Sequence, residues 1–223
     1  MKKIVIILII LALITSSCSG QTQTLIATNS CNGQREIITT QNKDIMAERL
    51  DLELLEQNAK KIPSGKSFSY RWKFVTDDGT EIEIDGSEEK GFNEKQFPPK
   101  PAFFFIYKEY YENGNLRLKG KCMGGGATKI GEWEFYNKEN ELVSKMNFDE
   151  NYGKFGYNEL LLFLHQEGQI NLETGKNREK VSFGYEDKKW WVSFMGAGGL
   201  RTEYELDGET GEVLSKKEFR LKM

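Results

Sequence analysis

The sequence predicts an α+β protein, built mostly of antiparallel β-hairpins and a meander, with two helices that follow a cleaved signal peptide. Short runs of alternating apolar and polar residues recur along the chain, as expected for strands. Several of these runs are joined by turn pairs such as Asn113-Gly114, which favour hairpins. Two segments are instead helix candidates. Apolar residues recur every four positions in Asp44–Lys61, and Tyr157–Glu167 is very apolar and is followed by Gly168 as a stop.

The first residues have the pattern of an export signal. Lys2 and Lys3 precede the unbroken apolar run Ile4–Ile14, which small polar residues and Cys18 follow. The apolar run is shorter than the roughly 20 residues that a membrane-spanning helix needs. We therefore interpret residues 1–17 as a signal peptide.

The small residues before Cys18 resemble the lipobox of bacterial lipoproteins, in which the cysteine is lipidated and becomes the first residue. The resemblance implies a palmitate-bearing Cys18, a tether over residues 18–24 and attachment to a cell-envelope membrane. The stretch Ser19–Thr22 lacks the acidic residues that mark surface lipoproteins in one group of Gram-negative bacteria, which implies an outer-membrane anchor facing the periplasm. Plain secretion after cleavage and a retained anchor are the alternatives.

Charge and cysteine content limit the partners further. The chain has 31 basic and 34 acidic residues with interspersed signs, so neither nucleic acid nor an anionic lipid surface is expected as a partner. In an exported chain Cys31 and Cys122 could form one disulfide that closes a long loop. Two buried thiols are the alternative.

The first part of the chain, residues 25–150, is predicted to be one β-rich domain with one helix. Its helix would begin at Asp44 as a cap and end at Pro63. The charged, proline-containing stretch Gly86–Lys100 is interpreted as a long loop. The predicted strands are Leu25–Thr28 and Glu36–Thr40 around an Asn32-Gly33 turn, Phe68–Val75 and Thr80–Asp85, Ile106–Tyr111 and Leu116–Cys122, and Gly131–Tyr136 and Leu142–Phe148.

The last two hairpins of this domain share a pattern. One unit contains Gly131, Trp133, Tyr136 and Leu142, and the other contains Tyr111, Gly114 and Leu116. The two units resemble the MORN-like repeats of bacterial exported and antitoxin-type proteins. That resemblance implies a scaffold of stacked hairpins, because one hairpin cannot bury its apolar face alone.

The last part, residues 151–223, is predicted to be one helix followed by an antiparallel sheet. Its strands would be Lys180–Tyr185, Trp190–Met195, Leu200–Leu206 and Glu212–Phe219. This segment resembles the PepSY-type module of exported proteins and protease propeptides. The resemblance rests on Trp191, Tyr204, Leu206, Asp207, Thr210, Gly211, Val213 and Leu214, and it implies protein binding or inhibition without a catalytic residue.

No motif with catalytic or metal-binding spacing is found. His165 is the only histidine, which excludes a multi-histidine metal site, and its place at a helix end favours a capping role. A Cys122–His165 nucleophile pair lacks any supporting spacing. The glycine-rich stretch Met123–Lys129 does not have the spacing of a phosphate-binding loop. We therefore expect no catalytic residue, no metal and no cofactor.

Aromatic residues on strands are the candidate binding surface. They are Tyr110, Tyr111, Trp133, Tyr136, Trp190 and Trp191. Neighbouring residues on a strand point to opposite faces, so one of Trp190 and Trp191 should lie in the core and the other should be exposed. Packing between hairpins and helices is the alternative role for these rings.

These observations together predict a non-catalytic, lipid-anchored envelope protein that binds another protein, as an inhibitor, immunity-type protein or assembly accessory. The alternative is a glycan-binding envelope lipoprotein that uses exposed aromatics. An enzyme with carboxylate chemistry is a third possibility, and no specific spacing supports it.

Overall fold

The computed structural model describes residues 36–37, 48–64, 67–124 and 128–220, which all belong to one compact unit. Over these residues the chain forms two antiparallel sheets and two α-helices, which confirms the predicted α+β class. Cys18, Cys31, Leu25–Thr28, the Asn32-Gly33 turn and Asp44 lie outside the described residues. Within the described part of the chain, no helix is long and apolar enough to cross a membrane.

The larger sheet is a nine-stranded antiparallel meander. Its spatial order is β1-β9-β8-β7-β6-β5-β4-β3-β2, so consecutive strands from β2 to β9 are neighbours. The strands are β1 (Glu36–Ile37), β2 (Lys60–Ser64), β3 (Ser67–Val75), β4 (Glu81–Ser87), β5 (Gly91–Phe97), β6 (Phe104–Tyr110), β7 (Leu116–Met123), β8 (Lys129–Tyr136) and β9 (Leu142–Asn147).

The three hairpins predicted between residues 68 and 148 are confirmed. A tight turn joins the two strands of each hairpin. In the β3–β4 turn, Gly79 has a φ of +84° and the Asp78 carboxylate accepts hydrogen bonds from Thr76 and Thr80. In the β6–β7 turn, Gly114 has a φ of +82°. Glycine adopts this left-handed conformation without the steric cost of a side chain, which is why these positions end one strand and start the next.

The predicted helix Asp44–Lys61 is wrong in extent. The helix α1 covers Leu52–Asn58 and begins at Asp51, whose carboxylate accepts the backbone N–H of Leu54 at 2.9 Å. The chain then turns into β2, because the residues from Lys60 onward pair with β3. Pro63 lies within this strand, which is tolerated because β2 is the edge of the sheet.

The predicted loop Gly86–Lys100 is also wrong, because its centre forms strand β5 between β4 and β6. Phe92 and Glu94 alternate along this strand and are both buried. Because Glu94 and its neighbour Lys95 are charged, the buried side of the strand is not apparent in the sequence. Glu94 is stabilised by the Tyr110 hydroxyl, which donates to it at 3.0 Å, and by Lys108 at 3.4 Å. Partners on a neighbouring strand therefore make a buried carboxylate acceptable here.

The two faces of the nine-stranded sheet carry separate apolar clusters. One face packs with α1 through Leu50, Leu55, Tyr70, Ile84, Phe92, Tyr110 and Leu116. The other face carries a smaller cluster of Phe105, Cys122 and Trp133 with partly buried aromatic neighbours.

The smaller sheet follows the helix α2 (Tyr157–Gln166), as predicted. Its order is β10-β11-β12-β13. The strands are β10 (Val181–Glu186), β11 (Lys189–Met195), β12 (Leu200–Asp207) and β13 (Val213–Arg220).

The core around α2 also includes residues of the larger sheet. Leu160, Leu164 and Trp190 pack in one cluster with Met123 of β7 and Ile130 of β8. The predicted boundary at residue 150 falls between the two sheets, and buried contacts continue across it. Whether residues 25–150 and 151–223 fold separately stays a prediction.

Candidate binding surfaces

The two adjacent tryptophans of β11 have opposite environments, as the strand pattern predicts. Trp190 is fully buried, and its indole N–H donates to the carbonyl oxygen of Phe155 at 2.7 Å. Trp191 is 48% exposed on the other face of the sheet. Trp191 is therefore the tryptophan of this pair that a partner can reach.

Two other predicted contact residues are buried, so the prediction that they contribute exposed surface is wrong. Tyr110 is 2% exposed because it faces the cluster under α1. Trp133 is 1% exposed because its indole lies over Gly120 and donates to the carbonyl oxygen of Lys121 at 3.1 Å. Alternation along a strand separates the two faces but does not say which face is covered.

The remaining pair, Tyr111 and Tyr136, is half-buried. The Tyr111 hydroxyl donates to the backbone carbonyl of Tyr136 at 2.9 Å. The Tyr136 hydroxyl donates to the Glu134 carboxylate at 2.6 Å. Both hydroxyl groups thus bind the protein itself.

The open face of the smaller sheet surrounds Trp191, and we call it the Trp191 face. It is formed by Gly184, Trp191, Ser193, Arg201, Glu205 and Phe219. Gly184 lies directly opposite Trp191 on the neighbouring strand, and a Cβ at that position would have no atom within 4 Å. The indole is therefore flanked on one side by an open recess.

Ion pairs frame this recess. Lys189 pairs with Glu205 at 2.6 Å, and Arg201 pairs with Glu203 at 2.9 Å. The Arg201 guanidinium also donates to the Ser193 hydroxyl at 2.8 Å. Phe219 is 39% exposed on the same face. An aromatic group with a polar border is the usual composition of a protein-binding patch.

A second concave surface lies on the face of the larger sheet that carries the Phe105 cluster. We call it the aromatic groove, and its volume is about 710 Å³. Phe97, Phe105 and Tyr107 line its apolar part, with Lys95, Lys129 and Asp85 around them. Sequence reasoning missed this groove because β5 was interpreted as a loop. No clear apolar–polar alternation marks β5 in the sequence, because the charged Glu94 lies at a buried position of this strand.

Cys122 and His165 do not form a nucleophile pair. Cys122 packs with Phe105 and Trp133, and burial raises the pKa of its thiol to about 11, which disfavours the reactive thiolate. His165 lies in the last turn of α2, where Nδ1 is 3.3 Å from the carbonyl oxygen of Ile170. No hydrogen bond joins the two side chains within the described residues. The predicted disulfide stays a prediction because Cys31 lies outside them.

No group of three or more His, Cys, Asp or Glu side chains that could hold a metal ion occurs in the part of the chain that the structure describes. The glycine-rich stretch Met123–Lys129 joins β7 to β8, and residues 125–127 within it are not described. In comparisons with known proteins, no family model, curated protein or solved structure matched this chain.

Proposed function

We propose that this chain is a non-catalytic, lipid-anchored protein of the bacterial cell envelope that binds another protein through the Trp191 face. The observation that carries the proposal is the half-exposed indole of Trp191 on a mostly polar sheet face that also carries the exposed ring of Phe219. Leaving about half of a tryptophan in water is unfavourable, and covering it with a partner recovers that hydrophobic free energy.

The geometry also indicates the chemistry of the partner. An apolar side chain can enter the recess above Gly184 and pack against the Trp191 ring. The paired charges at Lys189–Glu205 and Arg201–Glu203 lie at the border, where they add specificity more than affinity. We therefore propose a folded protein partner with a protruding apolar residue and mixed charges around it.

The anchor and the family resemblances are part of the same proposal. A lipid on Cys18 would hold the protein at an envelope membrane. We propose that this is the outer membrane and that the protein faces the periplasm. The MORN-like hairpins would form the scaffold, and the PepSY-like segment would present the binding face. An inhibitor, an immunity-type protein and an assembly accessory all fit this arrangement.

Site-specific crosslinking in the full-length exported protein tests the proposal. A photo-crosslinking amino acid replaces Ser193, which adjoins Trp191 on the same face, or Leu162, which is 52% exposed on α2. We expect one defined protein adduct from position 193 and none from position 162. The partner identified by mass spectrometry is then purified and its affinity measured.

Two alanine variants then give the decisive comparison. Trp191→Ala should weaken binding by about 30-fold or more, as for an interface hot spot, at unchanged melting temperature. Leu162→Ala removes a similarly exposed apolar side chain and should leave the affinity unchanged. Equal adducts from both positions, or full affinity in Trp191→Ala, would refute the proposed face.

A further inference from the structure

The aromatic groove lies on a different sheet from the Trp191 face and has features of a small-molecule site. Its volume of about 710 Å³ is within the range of roughly 300–1,000 Å³ that is typical of ligand sites. Strands β4 to β8 supply its lining, so neighbouring backbones hold the side chains in place. Its chemistry changes from one end to the other.

The middle of the groove is aromatic. The rings of Phe97 and Phe105 are 5.3 Å apart and tilted by 33°, and the rings of Tyr107 and Trp133 are 6.2 Å apart. Phe97 and Tyr107 are only partly buried, and they pack against the cluster that contains the buried Trp133. Partly exposed ring faces of this kind provide a flat apolar surface for another ring.

Two lysines lie away from the row that contains Asp85, with Lys95 opposite Tyr107 and Lys129 opposite Cys122. Lys95 and Lys129 both line the groove, and both act electrostatically on the thiol of Cys122. The ammonium group of Lys129 lies 4.3 Å from the ring centroid of Trp133 and 4.8 Å from that of Phe148. Neither lysine has a carboxylate partner among the described residues. An ammonium group beside apolar surface without a counter-ion favours binding of an anion.

The other end carries hydrogen-bonding groups in one row across three strands. Asp85, Asn93 and Glu109 are cross-strand neighbours on β4, β5 and β6. The Tyr107 hydroxyl donates to the side-chain carbonyl of Asn93 at 2.7 Å. Burial, with Glu109 and Asp85 nearby, raises the pKa of Tyr107 to about 12, so this phenol keeps its proton at neutral pH. Carboxylate and amide oxygens at this end can accept hydrogen bonds from hydroxyl groups.

We propose that the aromatic groove binds an acidic saccharide. Its carboxylate would pair with Lys95 and Lys129, the apolar face of a sugar ring would pack on Phe97 and Tyr107, and hydroxyl groups would donate to Asp85 and Asn93. The separation of charge favours one direction of the ligand, because the carboxylate of Asp85 repels an anion placed at its end. Glu109 is already paired with Arg117 at 2.6 Å. This site is independent of the proposed protein-binding face.

Calorimetric titration of the full chain in detergent tests the proposal with trigalacturonate and triglucuronate as probes. Neutral trisaccharides of the same size and a simple aromatic carboxylate serve as comparison ligands. We expect dissociation constants of about 10–100 µM for at least one acidic trisaccharide, weakening as salt rises. Neutral sugars should bind at least about tenfold more weakly.

Variants locate the site on the protein. Lys95→Gln and Lys129→Gln should each weaken binding by about tenfold or more. Lys121→Gln is the matched control, because Lys121 neighbours Cys122 on β7 and therefore points to the opposite face. Melting temperatures of all three variants show that folding is unchanged. Tyr107→Phe should weaken binding less than either lysine change, since it removes one hydroxyl and keeps the ring.

Four outcomes would overturn the proposal. These are no heat of binding with either acidic probe at about 5 mM, equal affinity for neutral sugars, equal affinity for the simple aromatic carboxylate, and an equal loss of affinity in Lys121→Gln. The last outcome would indicate non-specific attraction to surface charge. None of these outcomes would count against the proposed protein-binding face, because the two sites lie on different sheets. For the same reason Trp191→Ala should not change the saccharide affinity.

Discussion

Trp190 and Trp191 are neighbours in the chain, yet their side chains lie on opposite faces of the four-stranded sheet. Trp190 is completely buried against the core around α2, and its indole N–H is bonded to the carbonyl oxygen of Phe155. Trp191 is 48% exposed on the open face. Trp190 therefore stabilises the fold, whereas Trp191 offers contact surface.

This difference predicts opposite effects of truncation. Trp190→Ala should lower the free energy of unfolding by about 3–5 kcal/mol, because it opens a large cavity and leaves the carbonyl oxygen of Phe155 without this donor. Trp191→Ala should change that free energy by less than about 1 kcal/mol. Urea unfolding followed by far-ultraviolet circular dichroism measures both. Two equally destabilised variants would show that the open face is covered in the folded protein.

Gly120 and Gly184 are both strand glycines, and they should respond differently to the same change. A Cβ at Gly120 would lie 2.2 Å from the indole of Trp133, whereas a Cβ at Gly184 would meet no atom within 4 Å. Gly120→Ala should therefore cost about 1–3 kcal/mol through overpacking. Gly184→Ala should be neutral or stabilising by up to about 1 kcal/mol, because alanine has less freedom to lose on folding. Thermal unfolding of the two variants provides the comparison, and similar melting temperatures would contradict it.

The hairpins and the C-terminal sheet were predictable from the sequence because local signals fix them. A turn pair such as Asn113-Gly114 has few alternatives to a hairpin. The helix α2 was predictable because the very apolar run Leu160–Leu164 is followed by Gly168, a residue that commonly ends a helix. Such local signals can be recognised without knowing which strands are neighbours in the sheet.

Long-range partners explain what the sequence could not reveal. The strand β5 carries Glu94, which is buried only because Tyr110 and Lys108 of the next strand contact it. The chain after Asn58 becomes β2 because β3 pairs with it, although the local pattern continues that of a helix. The burial of Trp133 depends on its contact with Gly120, a residue of the neighbouring strand β7. The aromatic groove depends on the pairing of β4 to β8, which no single local pattern reveals.

The proposed lipid anchor gives a prediction at Cys18. The wild-type protein should take up labelled palmitate in cells and partition with membranes. Cys18→Ser should remain an unlipidated precursor, and the loss of its acyl chains should abolish stable lipid anchoring. Cys122→Ser is the matched control, because it removes a cysteine from the folded domain without touching the lipobox-like segment. Export of the wild-type protein without any incorporation of labelled palmitate would contradict the lipoprotein hypothesis.

Glu134 gives a prediction for the effect of pH on stability. Its carboxylate receives hydrogen bonds from Tyr136 at 2.6 Å, Lys119 at 2.9 Å and Lys145 at 3.1 Å. Partial burial opposes ionisation, but these three donors outweigh it and lower the pKa of Glu134 to about 2. In the unfolded chain the pKa of a glutamate is about 4.3. The folded state therefore binds this proton more weakly than the unfolded state does.

Because the folded pKa is the lower one, the stabilisation is complete above about pH 4.5 and is lost as the pH falls towards about 2. Screening of the partly exposed lysines limits it to about 1–2 kcal/mol. Glu134→Gln should lower the free energy of unfolding at pH 7 by this amount. In this variant the free energy of unfolding should also fall less steeply between pH 4.5 and pH 2.5. Glu132→Gln is the control: its carboxylate also pairs with Lys145 but is 57% exposed, so its removal should cost less than about 0.5 kcal/mol at pH 7. Urea titrations across this pH range measure both variants, and an unchanged acid limb in Glu134→Gln would show that other groups set the acid stability.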